Sequence, residues 1–142
     1  MATEYTALGF DYGGARIGCA IGQSFTSTAS PLEVVSANQG VPDWATIDRI
    51  VQEWRPTDLV VGLPLHMDGT EQKMTDCCRE FAAQLEERTS LPTHLVDERN
   101  TSREAEAQFK AQRKAGTKKR KHGGQLDSVA AKIIVERWLA SC

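Results

Sequence analysis

Apolar side chains concentrate at residues 6–11 and again from Ile17 to Ile21, with the Gly13-Gly14 pair between them. This pattern predicts two strands joined by a tight turn. Residues 32–36, Leu-Glu-Val-Val-Ser after Pro31, read as a third strand. The rhythm then changes. Trp44, Ile47, Ile50, Val51 and Trp54 recur at helical spacing, with Asp43 placed to cap the helix and Pro56 to end it. Asp58 to Leu63 is a short continuous apolar run, which suits a central parallel strand buried on both faces. A loop from Pro64 to Gly69 leads to a second helix marked by Met74, Cys77, Cys78, Phe81 and Leu85, and residues 93–96 form another strand. Thr101 to about Lys114 read as a third helix, opened by the capping-box pattern Thr101-Ser102-Arg103-Glu104. A basic loop follows Gly116, with Gly123-Gly124 as its expected hinge, and a last helix runs from about Leu126 to Ala140.

The resulting order, βββαβαβαα, predicts an α/β fold. An antiparallel three-strand meander joins parallel crossover strands in one mixed five-stranded sheet flanked by helices. At 142 residues, without internal repeat or linker, the chain is expected to be one domain spanning 1–142 with a substantial core. Its 40% apolar and 25% charged content is that of a soluble protein, no run approaches the length of a membrane helix, and residues 1–5 lack a secretion signature. Cys19, Cys77, Cys78 and Cys142 form no C-x-x-C pair, so free thiols in a reducing cytoplasm are the simplest reading.

The net charge of −2 conceals an asymmetry. Seven basic residues lie between Lys110 and Lys121 with no acid among them, which leaves ten bases against nineteen acids elsewhere, a balance of −9. A basic segment on an acidic body points to a polyanion, although charge alone fits a solvated loop equally well.

Acids stand at the ends of three apolar elements. Asp11 follows Ala7-Leu8-Gly9-Phe10, the pair Asp97-Glu98 follows His94-Leu95-Val96, and Asp127 opens the run that ends at Trp138. Parallel strands deliver their C-terminal ends to one sheet edge, where α/β proteins place their chemistry. Acids gathered there repel one another unless a cation lies between them, and such hard oxygens suit Mg²⁺ or Mn²⁺. Each acid also has a plainer explanation. Asp11 can start a β-turn, Asp97 can pair with Arg99 or cap the next helix, and Asp127 taken alone reads best as an N-cap. Strand alternation sends Asp97 and Glu98 to opposite faces, and the longer Glu98 is the better candidate. Arg16 can hold a phosphate or lie over the sheet edge. His66, in the loop after the central strand, is more often incidental than catalytic.

Four segments together resemble one family: Asp11-Tyr-Gly-Gly-Ala-Arg-Ile-Gly-Cys-Ala-Ile-Gly, Val60-Val-Gly-Leu-Pro-Leu-His-Met-Asp-Gly-Thr-Glu, Asp97-Glu-Arg-Asn-Thr-Ser-Arg-Glu-Ala-Glu and Asp127-Ser-Val-Ala-Ala. They are similar, in order and spacing, to the signatures of the YqgF family, also called RuvX, over nearly the whole chain. The resemblance implies a ribonuclease-H-like fold related to RuvC Holliday junction resolvases. It implies a metal-dependent nuclease, described both as a junction resolvase and as a factor that processes the 5′ end of pre-16S ribosomal RNA. The family's acidic site falls on Asp11, Glu98 and Asp127, which would hold one or two Mg²⁺ or Mn²⁺ ions. Arg16 and the run Lys118, Lys119, Arg120 and Lys121 would contact phosphates. The chain departs from the pattern at His66, where Asn is expected, and at Asn100, where an apolar residue is expected.

The expected partner is nucleic acid, a pre-ribosomal particle or branched DNA, with no membrane. The chain would act as a monomer or homodimer in the cytoplasm. A non-catalytic RNA-binding assembly factor is the alternative from another class. A sugar or acetate kinase of the actin-like type shares the Asp-x-Gly hairpin, but it needs two such domains and this chain supplies one. The sequence offers no aromatic-rich single-strand platform that would decide between RNA and DNA.

Overall fold

The computed structural model describes residues 4–99 and 123–142. The helix expected at 101–114 and the basic run with Lys118–Lys121 lie outside the described residues. The described chain forms β1 (Thr6–Tyr12), β2 (Arg16–Gln23), β3 (Thr28–Pro31), β4 (Val35–Asn38), β5 (Val41–Pro42), α1 (Trp44–Trp54), β6 (Asp58–Leu63), α2 (Lys73–Thr89), β7 (Thr93–Asp97) and α3 (Gly123–Ala140).

One mixed sheet runs in the order β5-β4-β2-β1-β6-β7, with β3 also paired to β2. β1 is antiparallel to β2 and parallel to β6, and β6 is parallel to β7. The meander and parallel crossovers are therefore present, but the third strand is displaced and divided. The sequence places it at 32–36, whereas the chain pairs at 28–31 and 35–38 and leaves 32–34 outside any strand. The Leu32 N–H still donates to the Cys19 carbonyl in the register of β3, but β4 pairs one residue out of that register, so the intervening residues bulge from the ladder. β5 adds a two-residue edge, so the sheet has seven strands where five are expected.

The sheet separates two layers. On one side Leu8, Phe10, Ile17, Leu59 and Val61 pack against Ile47 and Ile50 of α1 and Phe81 and Leu85 of α2. On the other, Ala7, Ala20 and Val60 pack against Ala131, Ile134 and Val135 of α3. This alternation along β1 and β6 is the period-two rule for a strand buried on both faces. Asp43 caps α1, accepting from the Thr46 N–H and hydroxyl. Arg55, not Pro56 itself, ends that helix in the left-handed conformation, at φ 47°.

Gly18 fixes the depth of α3. A β-carbon there would collide with the carbonyl of Asp127, so only glycine lets the helix backbone touch β2 at this point. Ser128, fully buried one residue on, accepts the Cys19 N–H at 3.3 Å. The helix backbone thus lies against β2 at Gly18, and the Ser128 side chain ties it to the strand at Cys19.

Candidate active site

β1 ends at Tyr12, β7 ends at Asp97, and α3 passes over β2 at Asp127. These three places bring Asp11, Glu98 and Asp127 to the C-terminal edge of the parallel strands. Asp11 and Glu98 are hydrogen-bonded to each other. Burial raises both carboxyls, Asp11 to about 6 and Glu98 to about 8, and their mutual repulsion adds to the rise at Glu98. Both shifts favour keeping a proton between the two carboxyls, with Glu98 as the donor and Asp11 as the acceptor. Gly62 at the end of β6 gives Glu98 its room, since a β-carbon there would meet Glu98 Oε2 at 3.0 Å and Ile134 Cδ1 at 2.5 Å.

Asp127 is not a helix cap. α3 begins four residues earlier, at Gly123, and the Gly123-Gly124 pair lies within the helix and is not a hinge before it. The first-turn N–H groups that a cap would satisfy are upstream of Asp127. Its Oδ2 is shielded from solvent and accepts no hydrogen bond. The Arg16 Nε lies 3.1 Å from that oxygen, close enough for an ion pair but not aligned to donate. Burial raises the Asp127 carboxyl and Arg16 opposes the rise. Arg16 is thus occupied by an acid, although 58% of its side chain remains exposed.

Asp97 turns away from this group. It accepts from the Arg99 N–H at 2.9 Å and from Arg99 Nε at 2.7 Å, and this pairing holds its carboxyl below the usual range. The choice between the adjacent acids is therefore made by Arg99. Arg137 of α3 donates to the carbonyls of both Asp97 and Arg99 at 3.0 Å, the residues on either side of Glu98. Sequence reasoning missed this clamp, because an Arg forty residues away gives no local sign of a carbonyl partner.

The loop after β6 is tied on both sides. The buried Thr75 hydroxyl donates to the Pro64 carbonyl at 2.5 Å, and Arg99 Nη1 donates to the Met67 carbonyl at 3.2 Å. His66 is an exposed turn residue whose backbone closes that turn with Gly69 and Thr70. Thr70 and Glu71 precede α2 without starting it, and Gln72 forms a capping box with Thr75. Cys78 lies buried near the acid pair, its thiol pushed up to about 12 by burial and by Glu98 and Asp11.

Among the described residues, no three acidic, His or Cys side chains are drawn tightly enough to ligate an ion as they stand. The donor chemistry nevertheless fits a hard cation. Two acids are held together with their carboxyls raised by burial, and a third presents a shielded oxygen that accepts no hydrogen bond.

The profile of the RuvX family, described as Holliday junction resolvase, matches residues 5–141. A relative from Xanthomonas axonopodis pv. citri, provisionally named pre-16S rRNA nuclease, is 44% identical over 96% of this chain and 88% of its own. One of the same name from Legionella pneumophila (strain Paris) is 46% identical over 93% of each. Among solved structures, RuvC of T. thermophilus in complex with a Holliday junction substrate superposes with a TM-score of 0.57 at 14% identity, covering 96% of this chain and 94% of that one. The yeast mitochondrial Holliday junction resolvase Ydc2 gives 0.53 at 11% identity over 94% and 77%. At these identities the two structures speak for a common fold.

Proposed function

The chain belongs to the RuvX family, and from that premise we propose that it is a metal-dependent nuclease that hydrolyses phosphodiester bonds at the 5′ end of precursor 16S ribosomal RNA. The name carried by its relatives supports the substrate. The observation that carries the chemistry is the edge site itself, where the buried, hydrogen-bonded carboxyls of Asp11 and Glu98 stand beside an Asp127 Oδ2 that accepts no hydrogen bond. Among the described residues no helix is long and apolar enough to cross a membrane, which suits work in the cytoplasm on a ribosomal precursor.

Asp11, Glu98 and Asp127 would hold one or two Mg²⁺ or Mn²⁺ ions, which when bound supply Lewis-acid activation of water and neutralise charge at the leaving oxygen. The chain's own contribution begins with Glu98, which gives up its proton so that both carboxylates of the pair face the substrate. Arg137 keeps Glu98 at its place by holding the carbonyls beside it. Arg16, released from Asp127, turns its exposed guanidinium to a phosphate oxygen. Lys118, Lys119, Arg120 and Lys121 would supply further phosphate contacts.

Cleavage of a four-way DNA junction is the second reading, favoured by the family description and by the fold shared with RuvC. The deciding experiment offers labelled pre-16S 5′-end RNA and a four-way junction side by side with Mg²⁺ or Mn²⁺, using Asp11→Asn as control. Cutting of the RNA alone, reduced about 10³-fold or more in the variant, is the expected result. Paired symmetric cuts in the junction overturn the RNA reading, and cleavage undiminished in Asp11→Asn overturns the site.

A further inference from the structure

No run of aromatic residues marks this sequence, but the fold assembles one beside the acids. Tyr12 directly follows Asp11 on β1, and strand alternation sends its ring to the opposite face of the same sheet edge. There Phe81 of α2 lies 4.9 Å from the Tyr12 ring and 5.8 Å from Trp44 of α1, centroid to centroid, with Trp44 stacked on it. The three rings line a cleft of about 240 Å³ whose rim carries Gln39, Gln84 and Glu80. Gln39 sits at φ 51°, a left-handed conformation in the turn between β4 and β5, followed by Gly40 at φ 82°. The Tyr12 hydroxyl holds this turn over the cleft by donating to the Gly40 carbonyl at 2.7 Å. A non-glycine residue kept in that region is strained, and such strain collects at ligand sites.

We propose that this cleft receives a single unpaired nucleobase of the substrate strand, next to the bond that is cut, and prefers bases with an exocyclic amino group. The inference rests on the nuclease reading and extends it to the form of the substrate. The volume is below that of sites for drug-sized ligands, roughly 300–1,000 Å³, and suits one planar ring. Among the described residues Glu80 lines the cleft and no Lys or Arg does, Arg88 lying over the Trp44 ring at 5.1 Å, so the lining favours a neutral base over a phosphate. Aromatic rings hold bases by stacking. The Gln39 and Gln84 amides can donate or accept to any base, whereas the Glu80 carboxylate can only accept. Cytosine, adenine and guanine offer it an amino group and uracil does not. Because Tyr12 is covalently next to Asp11, a base seated here directs its sugar and phosphate back over the strand end toward the acids. A paired base cannot enter, so the cut lies in a single-stranded or splayed segment.

The test uses the full chain without divalent metal and follows the indole N–H of Trp44 by NMR, assigned with Trp44→Phe. The probes are CMP, AMP, GMP, UMP and ribose 5-phosphate. The expected result is a saturable shift with CMP, AMP and GMP, a weaker response to UMP and none to ribose 5-phosphate. Glu80→Ala, an exposed position on α2, should erase the preference of CMP over UMP, a change of about tenfold, the order of one hydrogen bond. An equal response to ribose 5-phosphate, silence with every nucleotide, or a preference that survives Glu80→Ala overturns the base site. The probe requires neither metal nor cleavage. An active nuclease with a silent Trp44 therefore removes the base site alone, whereas an inactive protein that still selects CMP removes the nuclease reading.

Discussion

The proton shared by Asp11 and Glu98 makes the site readable in solution. Both carboxyls titrate higher in the folded protein, at about 6 and about 8, than in an unfolded chain, where such groups titrate near 4. A group raised on folding stabilises fully below its unfolded value, and that contribution is lost as pH rises through the folded one. The metal-free protein should therefore lose stability progressively between pH 5 and pH 9, as the raised pair ionises. Asp43, Asp48 and Asp97 are shifted downward, so their losses fall at lower pH, outside this window. Glu98→Gln should flatten the decline, and Mg²⁺ or Mn²⁺ should reverse it at high pH by binding the ionised pair. Thermal melts across this range check both expectations, and a melting temperature that climbs with pH in the metal-free protein contradicts the shared proton. Arg16→Gln belongs to the same scale. Its ion pair is largely exposed, so the loss should be about 0.5–1 kcal/mol. That loss should disappear in saturating metal if a cation can take the place of the guanidinium beside Asp127, and persist if it cannot.

At the scale of elements, the site depends on how closely α3 lies on β2. At Gly18 a β-carbon would strike helix backbone, which cannot rotate away as a side chain can. Gly18→Ala should cost about 1–3 kcal/mol or more and displace Asp127, so that cleavage falls further than stability alone explains. Gly14→Ala, where a β-carbon meets nothing, is the control and should stay within about 0.5 kcal/mol. Urea titration and the RNA cleavage assay on both variants read this directly. The same contact explains which parts of the fold were legible in the sequence. β6 could be read residue for residue, because burial on both faces writes a continuous apolar run. Asp43 could be read as a cap because its partner, Thr46, is three residues away. β3 could not, since Thr28-Ala29-Ser30-Pro31 has no apolar alternation and is held by pairing to β2. The start of α3 could not either. A glycine pair is a poor helix former, and the helix reaches back through it to Gly123, which removes the cap reading that Asp127 has when taken alone. The gathering of Asp11, Glu98 and Asp127 at one edge was legible because each stands at one end of an apolar run. Arg137 and Ser128 were not, because they act on backbone groups 38–40 and 109 residues away.

At the scale of the whole molecule, the charge balance sets how RNA is approached. A body carrying −9 repels a polyanion, so the proposed function assigns phosphate contacts to the basic run between Lys110 and Lys121 and to Arg16. Each phosphate neutralised releases counterions, and for single strands the logarithm of affinity falls against the logarithm of salt with a slope of about −0.7 per contact. Replacing Lys118, Lys119, Arg120 and Lys121 with Gln should therefore flatten the slope by about 3 if all four touch phosphate, and weaken binding most at low salt. Fluorescence anisotropy of a labelled pre-16S fragment between low and moderate salt, without metal, measures both. A slope unchanged by the four substitutions would place the phosphate contacts elsewhere. The Asp11→Asn protein gives the matching expectation from the other side of the charge balance. It removes a negative charge from the edge where the strand must lie, so without metal it should bind RNA at least as tightly as the unmodified chain while failing to cut it. Weaker binding would mean that Asp11 meets the RNA directly and not through a cation.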